Sequence, residues 1–239
     1  MAKKHLLGPF DWFLLVGIVA CNVINSIMTN SFDIIGTISS VAGIVCVVLC
    51  ANGSIVNYLF GLINVTLYAY ICYKSQLWGA AALNGLYYTP MQFIGFFQWR
   101  KRDASVHKAV KAQRMDGRKW LYVALGYVAV AAVAFGISYF AGQHSLGSGV
   151  PAKLVMDALT TAAYVMAIIM MTFAYMEQWY IWTLVNLSSI VLWAVNLATT
   201  PESTYTVVML IKYVFYLLNG LNAIRIWLRL SRKEEVLEN

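Results

Sequence analysis

The chain alternates between long apolar segments and short polar ones. A helix needs about 20 mostly apolar residues to cross the hydrocarbon core of a bilayer. Eight segments approach this length, and we predict that each forms a transmembrane helix. Their predicted bounds are 10–28, 33–51, 55–73, 77–99, 120–141, 152–176, 178–199 and 204–228.

Short junctions and an apolar composition support this interpretation. Asn52-Gly53-Ser54 and Thr200-Pro201-Glu202-Ser203 are rich in turn-forming residues, so the helices that they join run antiparallel. Soluble domains contain about 25% charged residues, whereas this chain contains 11% and has a mean hydropathy of +0.68. The sequence therefore predicts an all-α integral membrane protein and excludes a water-soluble globular fold.

The distribution of Lys and Arg predicts the orientation in the membrane. Most of the 17 basic residues lie in the N-terminal stub, in residues 100–119 and in residues 225–233. With eight spans these segments fall on one side, which is the cytoplasmic side because basic loops stay there. Both termini are therefore predicted to be cytoplasmic. The net charge of +7 does not predict nucleic-acid binding, because the charges lie beside the spans.

The first apolar segment also has features of a signal peptide. It follows Lys3 and Lys4, and Ile18-Val19-Ala20-Cys21 resembles a lipoprotein cleavage site. We nevertheless expect a retained helix, because the apolar stretch continues to Met28.

The cysteines predict neither a disulfide framework nor a metal site. All four (Cys21, Cys46, Cys50 and Cys72) lie in apolar segments. Cys46 and Cys50 share a helix face, but no histidine lies nearby. We interpret them as small buried apolar residues.

Two stretches of the chain are similar to each other. The matching positions are Asp33, Val41 and Ile44 with Asp157, Val165 and Ile168, then 60–64 with 182–186, then Tyr88, Gly95 and Arg100 with Tyr213, Gly220 and Arg225. Each stretch holds three predicted helices, and the single helix between them restores the direction of the second. The predicted arrangement is two parallel three-helix repeats joined by a linker helix (3+1+3), with one extra helix in front. Such pseudosymmetry favours a ligand site between the two bundles.

The chain divides accordingly. The predicted parts are an extra helix (1–32), the first repeat (33–102), a basic cytoplasmic loop with the linker helix (103–151), the second repeat (152–230) and a cytoplasmic tail (231–239).

Polar and aromatic residues follow one face of four predicted helices, at helical spacings of three and four. They are Trp179, Trp182, Asn186, Ser189, Trp193 and Asn196 in the seventh helix; Asn84, Tyr88, Gln92, Gly95 and Trp99 in the fourth; Tyr205, Lys212, Tyr216 and Asn219 in the eighth; and Asn57 and Asn64 in the third. Polar residues are costly inside a bilayer and are typically functional.

These stripes allow two interpretations. They could hold helices together through hydrogen bonds and aromatic belts, or they could contact a ligand. For Trp99 and Trp179, near helix ends, both interpretations stay open. For Tyr88, Gln92, Trp182 and Asn186, which lie deeper, we favour ligand contact.

Lys212 raises a separate alternative, because a lone lysine in the last span could hold retinal as a Schiff base. The position one turn earlier is Val208 and not an acidic residue. We therefore expect Lys212 to bond carbonyl oxygens or to extend toward the interface, with a ligand contact left open. A coloured purified protein would favour a photoreceptor, and a complete lack of small-molecule affinity would favour a structural or signalling role.

Several signatures are absent from the sequence. No predicted span has a central pair of acidic residues for ion coupling, and no arginine cluster suits a phosphorylated ligand. Zinc, nucleophile-elbow and phosphate-loop motifs are missing, so we predict no enzyme activity, cofactor or metal. The stripes suit a neutral or singly cationic ring compound with hydroxyl and amide groups, because indole faces attract cations.

The sequence resembles the PnuC family of bacterial nicotinamide riboside transporters from about Asp33 to Leu230. The resemblance rests on residues 83–84, Tyr88, 90–92, Gly95, 98–100, 179–182, 212–213, Tyr216 and 219–220. It implies a fold related to the sugar-transporting SWEET proteins. It also implies passive uptake of the riboside across the inner membrane, followed by phosphorylation in the cytoplasm.

The resemblance also implies a set of substrate contacts. These are Trp182, Asn186, Asn196, Gln92, Tyr88, Tyr216 and Asn219, to which the stripes add Asn64, Asn84 and Lys212. We expect alternating access, in which the two bundles rock about the bound substrate while Pro90 and Gly95 tolerate bends. A sugar or other nucleoside facilitator is the nearest alternative, and the sequence leaves self-association open.

Overall fold

The computed structural model describes residues 7–28, 34–74, 81–142, 152–199 and 204–238. Eight helices form within these ranges, which confirms the prediction of an all-α protein. They are α1 (Pro9–Met28), α2 (Ile34–Ala51), α3 (Asn57–Lys74), α4 (residues 81–101), α5 (Gly117–Gly142), α6 (Ala152–Thr172), α7 (Gln178–Thr199) and α8 (Thr204–Glu238).

Three helical segments in the described ranges are long and apolar enough by themselves to span a membrane. They are Ile34–Ala51, Gly117–Phe140 and Leu154–Thr172. Large apolar side chains face outward along α5; they include Val128, Val133 and Ile137. Exposed apolar surface of this extent is typical of a lipid-facing or protein-facing surface.

Three helices differ from the prediction in ways that have local causes. In α4 the segment Leu83–Tyr88 is π-helical and leads into α-helical Thr89–Lys101. Pro90 explains the wider turn. It lacks a backbone N–H, and in a regular α-helix its ring would clash with the carbonyl group four residues earlier. Residues 77–80 of this predicted span lie outside the described residues.

The other two differences concern helix ends. Helix α6 stops at Thr172, four residues early, because Ala174 adopts a left-handed conformation with φ of 57°. Helix α8 continues beyond Leu228 to Glu238. The apolar span ends near Leu228, but the Arg, Lys and Glu residues that follow are good helix formers.

Six of the helices form a closed ring. The neighbours in order are α2, α3, α4, α6, α7 and α8, and α8 packs back against α2. Helix α1 lies outside the ring against α2 and α8, and α5 lies outside it against α6. The interior of the ring is where the polar stripes of four helices can meet.

The turns that follow α2 and α6 have the same geometry, 121 residues apart. Gly53 and Ala174 are both left-handed, with φ of 69° and 57°. Each donates its backbone N–H to the carbonyl three residues earlier, and the next residue donates to the carbonyl five residues earlier, all at 2.9 Å. This is the Schellman pattern of helix termination. Sequence matching in the following helices gave an offset of 122.

Residues 102–116 lie across these two turns. The N–H of Val110 donates to the carbonyl of Gly53 at 2.9 Å, and the N–H of Gln113 donates to that of Ala174 at 3.0 Å. We call the end of the molecule made by residues 52–56, 102–116 and 173–177 the loop face. The largest buried apolar cluster lies at this end.

Candidate ligand-binding site

A layer of four aromatic residues closes the end of the six-helix ring that is near the loop face. It contains Tyr58 of α3, Trp99 of α4, Trp227 of α8 and Trp179 of α7, none more than 3% exposed. Consecutive ring centroids are 5.1, 5.6 and 6.1 Å apart. Such spacings are favourable for aromatic pairs, so contacts between these side chains link α3, α4, α8 and α7 in this order. We call these residues the aromatic layer.

Two indole N–H groups of this layer tie neighbouring helices together. Trp99 donates to the carbonyl of Met171 at the end of α6, at 2.8 Å. In the same way, Trp227 donates to the carbonyl of Ala51 at the end of α2, at 3.1 Å. Trp99, for which two interpretations were open, therefore has a packing role. The indole nitrogen of Trp179, in contrast, is buried and has no hydrogen-bond partner among the described residues.

Four amide side chains lie about two helical turns further from the loop face. They are Asn64 of α3, Gln92 of α4, Asn186 of α7 and Asn219 of α8, six to eight residues along each helix from its aromatic-layer residue. Gln92, Asn186 and Asn219 are buried. We call these four residues the amide layer.

The amide layer is partly committed to helix packing. The amide of Asn64 donates to the carbonyl of Ser39 in α2 at 2.7 Å. The amide of Asn219 donates to the carbonyl of Val47, also in α2, at 3.2 Å. These two donors therefore stabilise the contacts of α2 with α3 and α8.

Two side-chain oxygens of the amide layer make no hydrogen bond to another helix. The side-chain oxygens of Gln92 and Asn219 are buried and have no hydrogen-bond partner among the described residues. Leaving a buried acceptor unsatisfied costs about 1–3 kcal/mol. A bound molecule with hydroxyl or amide N–H groups that reached these oxygens would recover this free energy.

A second aromatic group lies around the amide layer. The ring of Trp182 makes an edge contact with Tyr164 of α6, with centroids 5.7 Å apart. The phenol of Tyr164 is close enough to interact with those of Tyr88, Tyr213 and Tyr216. Phenol and indole groups from α4, α6, α7 and α8 thus lie near one another.

Lys212 lies beside this group. Its ammonium nitrogen is 5.5 Å from the ring centroid of Tyr216, which is a cation–π distance. The ring of Tyr216 is in turn 6.1 Å from that of Tyr213. Lys212 is thus within reach of the aromatic residues predicted to meet the ligand.

Two predicted site residues stand apart. Asn84 is buried in the π-helical segment, and its backbone carbonyl accepts a hydrogen bond from the hydroxyl of Thr89 at 2.9 Å. It lies eight residues before Gln92, about 12 Å along the helix. The side chain of Asn196 lies outside the described residues.

Sequence reasoning missed Tyr164 and Tyr213. Tyr164 has small neighbours, Ala162 and Ala163, so it forms no polar stripe along α6. Tyr213 was noted as a partner of Tyr88 in the repeat and in the family resemblance, but not as a substrate contact. A search for single aromatic residues on otherwise small-residue helices would have found Tyr164.

Comparison with known proteins gives three kinds of match. A family described as nicotinamide mononucleotide transporter matches residues 33–229. The nicotinamide riboside transporter PnuC of Neisseria mucosa is 37% identical over 238 residues, covering 97% of this chain and 86% of that protein. The protein of the same name from Haemophilus influenzae is 33% identical over 198 residues, covering 82% of this chain and 80% of its own.

A solved structure is similar as well. It is described as the crystal structure of the vitamin B3 transporter PnuC, and it shares 33% sequence identity with this chain. The TM-score is 0.70, and the match covers 95% of this chain and 94% of the other.

Proposed function

The chain belongs to the PnuC family of transporters, and we propose on this basis that it carries nicotinamide riboside across the bacterial inner membrane. The matching family is described by the mononucleotide, whereas the relatives are named for the riboside. The chemistry of the proposed site favours the riboside.

The two unpartnered oxygens of the amide layer carry the substrate assignment. Nicotinamide riboside has ribose hydroxyls and a carboxamide N–H₂ group, which can donate to Gln92 and Asn219. Its pyridinium ring is flat and cationic, which suits the indole of Trp182 and the neighbouring phenols. Asn186 lies buried in the same layer.

The site is poorly suited to a phosphate group. Tight phosphate recognition in proteins uses bidentate arginines or clustered cations. Among the site residues named above, Lys212 is the one charged side chain, and it lies over the ring of Tyr216. The mononucleotide would therefore carry its phosphate into an environment without matching donors.

Titration calorimetry of the purified protein tests this assignment. We expect saturable binding of nicotinamide riboside, much weaker binding of the mononucleotide and none of glucose. A response to glucose but not to the riboside would move the function to a sugar facilitator. Equal affinity for riboside and mononucleotide would contradict the argument from the missing cations.

The transport mechanism that we propose is alternating access between two three-helix bundles, α2–α4 and α6–α8. The matching turns at Gly53 and Ala174 support a repeat of this kind. The paired indole bonds also support it, because each crosses from one bundle to the other: Trp99 joins α4 to α6, and Trp227 joins α8 to α2. The substrate site would lie between the bundles.

In this mechanism the loop face is the closed gate of the present conformation. Opening it would break the two indole bonds and separate the rings of the aromatic layer. The loop of residues 102–116 contacts the turns that follow α2 and α6, so it would also have to separate from one of them. We expect it to stay with the second bundle, because Gln113 exchanges backbone hydrogen bonds with Ala174 and Met176, whereas Val110 makes one to Gly53.

The loop face is assigned to the cytoplasm. It carries the basic residues of the segment 100–119, which favour that side. Both termini would then be cytoplasmic. Transport would be facilitated diffusion, because the predicted spans lack central acidic pairs for ion coupling.

A further inference from the structure

Helix α1 has an unusual place in this protein. The family match begins at residue 33, after α1 has ended at Met28. The helix nevertheless packs against both α2 and α8, which are the two helices that meet at one seam of the ring. It therefore touches both proposed bundles at once.

The contact of α1 with α8 is unusually close. A Cβ atom on Gly17 would lie 2.5 and 2.6 Å from two carbons of the Phe215 ring, so only glycine fits there. The ring of Phe13, one turn earlier, lies 5.6 Å from that of Phe215. Phe215 is thus seated in a notch of α1.

The same part of α1 contacts α2. Leu14 and Ile18 are buried in one cluster with Ile44 and Val48 of α2, and the rings of Phe215 and Tyr216 pack against this cluster. Farther along α1, the hydroxyl of Ser40 donates to the side-chain oxygen of Asn22 at 3.2 Å. The cluster therefore lies directly behind Tyr216.

We propose that α1 is a positioning element of the substrate site, and that it acts through Gly17 and Phe215 on Tyr216. The inference rests on the proposed function, in which Tyr216 contacts nicotinamide riboside. Phe215 and Tyr216 are consecutive, so seating one ring against α1 fixes the direction of the other. An aromatic side chain that is held in place before binding loses less rotamer entropy when the substrate arrives.

The test compares two glycine substitutions in helices. Gly17→Leu removes the notch for Phe215, whereas Gly136→Leu in α5 is the matched control, since nothing lies within 4 Å of a Cβ there. We expect Gly17→Leu to weaken riboside binding about 3- to 10-fold, the cost of ordering one side chain. The control should bind like the wild type. Gly17→Ala, a smaller intrusion, serves if Gly17→Leu fails to fold.

A double-mutant cycle separates positioning from general damage to the fold. If α1 acts through Tyr216, Gly17→Leu has no further effect on affinity in a Tyr216→Ala protein. Equal effects in both backgrounds would overturn the inference, and so would an unchanged affinity of Gly17→Leu and Gly17→Ala, or of Tyr216→Ala. Failure of the wild-type protein to bind the riboside would instead refute the proposed function.

Discussion

The side-chain oxygen of Gln92 in α4 lies directly against Gly61 in α3, in the space that a Cβ atom on residue 61 would occupy. Only the lack of a side chain at position 61 allows this approach. The helices α3 and α4 therefore hold the unpartnered oxygen of Gln92 between them.

Gly61→Ala should consequently impair substrate binding. The new methyl group would displace the oxygen of Gln92, and we expect the riboside affinity to fall about tenfold, equivalent to about 1.4 kcal/mol. Calorimetry measures the change. Gly85→Ala is the matched control on the same pair of helices, because its Cβ would meet Ala69 at an ordinary 3.9 Å. Equal affinities of the two variants would contradict the geometry.

Gln92→Met should change stability and binding in opposite directions. The substitution removes a buried acceptor that has no protein partner, so the ligand-free protein should unfold at a higher temperature. Riboside affinity should fall by about 0.5–1.5 kcal/mol, the net value of a hydrogen bond. Thermal unfolding in detergent, with and without riboside, measures both effects. A lower unfolding temperature without ligand would argue against an unsatisfied oxygen.

Gln178→Met is the matched control for binding. Gln178 is the first residue of α7 and is fully buried. Its amide donates to the carbonyl of Tyr175 at 3.1 Å, and its side-chain oxygen, like that of Gln92, has no partner among the described residues. This variant should leave the riboside affinity unchanged, since the residue lies on the loop-face side of the aromatic layer.

Trp182→Ala should weaken riboside binding more than Trp182→Phe. Alanine removes the ring contact with Tyr164 as well as the surface for the pyridinium, and an aromatic pair contributes about 0.5–1.5 kcal/mol beyond its buried area. Quenching of tryptophan fluorescence or calorimetry reports the affinity. If Trp182→Ala and Gln92→Ala both bind like the wild type, the site assignment is wrong.

Trp227→Phe should loosen the loop face. The variant keeps a ring in the aromatic layer but loses the indole bond to the end of α2. Cys50 lies buried beside it, so its alkylation rate is a natural probe once the other three cysteines are replaced. We expect faster labelling of Cys50 in Trp227→Phe. An unchanged rate would show that the indole bond does not hold the gate closed.

Glu177→Gln should weaken the attachment of the loop of residues 102–116 to the turn that follows α6. The Glu177 side chain is 3% exposed and accepts from the Arg114 side chain at 3.2 Å and from the N–H of Met115 at 3.1 Å. Loss of the charge should cost about 1–3 kcal/mol of stability, measured by thermal unfolding. Asp103→Asn is the control, because Asp103 pairs with Lys108 and Lys111 at the surface, where such pairs contribute little.

The pH dependence of that surface pair has a definite sign. A hydrogen bond from Lys111, together with the charge of Lys108, lowers the pKa of Asp103 below its usual value. The pair is therefore present near neutral pH and is lost as the pH falls through the lowered pKa. In the Asp103→Asn protein, this part of the acid dependence of loop protection in hydrogen exchange should disappear.

Helix number, order and most bounds could be predicted from the sequence because an apolar run of span length has few stable alternatives in a bilayer. The exceptions are local: Pro90 makes part of α4 π-helical, and left-handed Ala174 ends α6 early. Neither effect changes the average hydropathy of a segment, so hydropathy could not reveal them.

The polar stripes likewise followed from the sequence, because residues three and four apart share a helix face. What each stripe residue does depended on its neighbours across the ring. Trp99 and Asn64 donate hydrogen bonds to other helices, whereas the side-chain oxygens of Gln92 and Asn219 have no partner among the described residues. Periodicity places a residue on a face, but only the approach of a second helix determines whether its polar atoms are already satisfied.

The sequence by itself thus determined an all-α membrane protein, its family resemblance and the faces that carry its polar residues. The tertiary structure decided which helices close the ring, that Tyr164 joins the aromatic group, and that α1 packs behind Tyr216. The physical reason is that hydropathy and helical period act along one segment. Close contacts such as those at Gly17 and Gly61 depend on the shapes of two segments far apart in the chain.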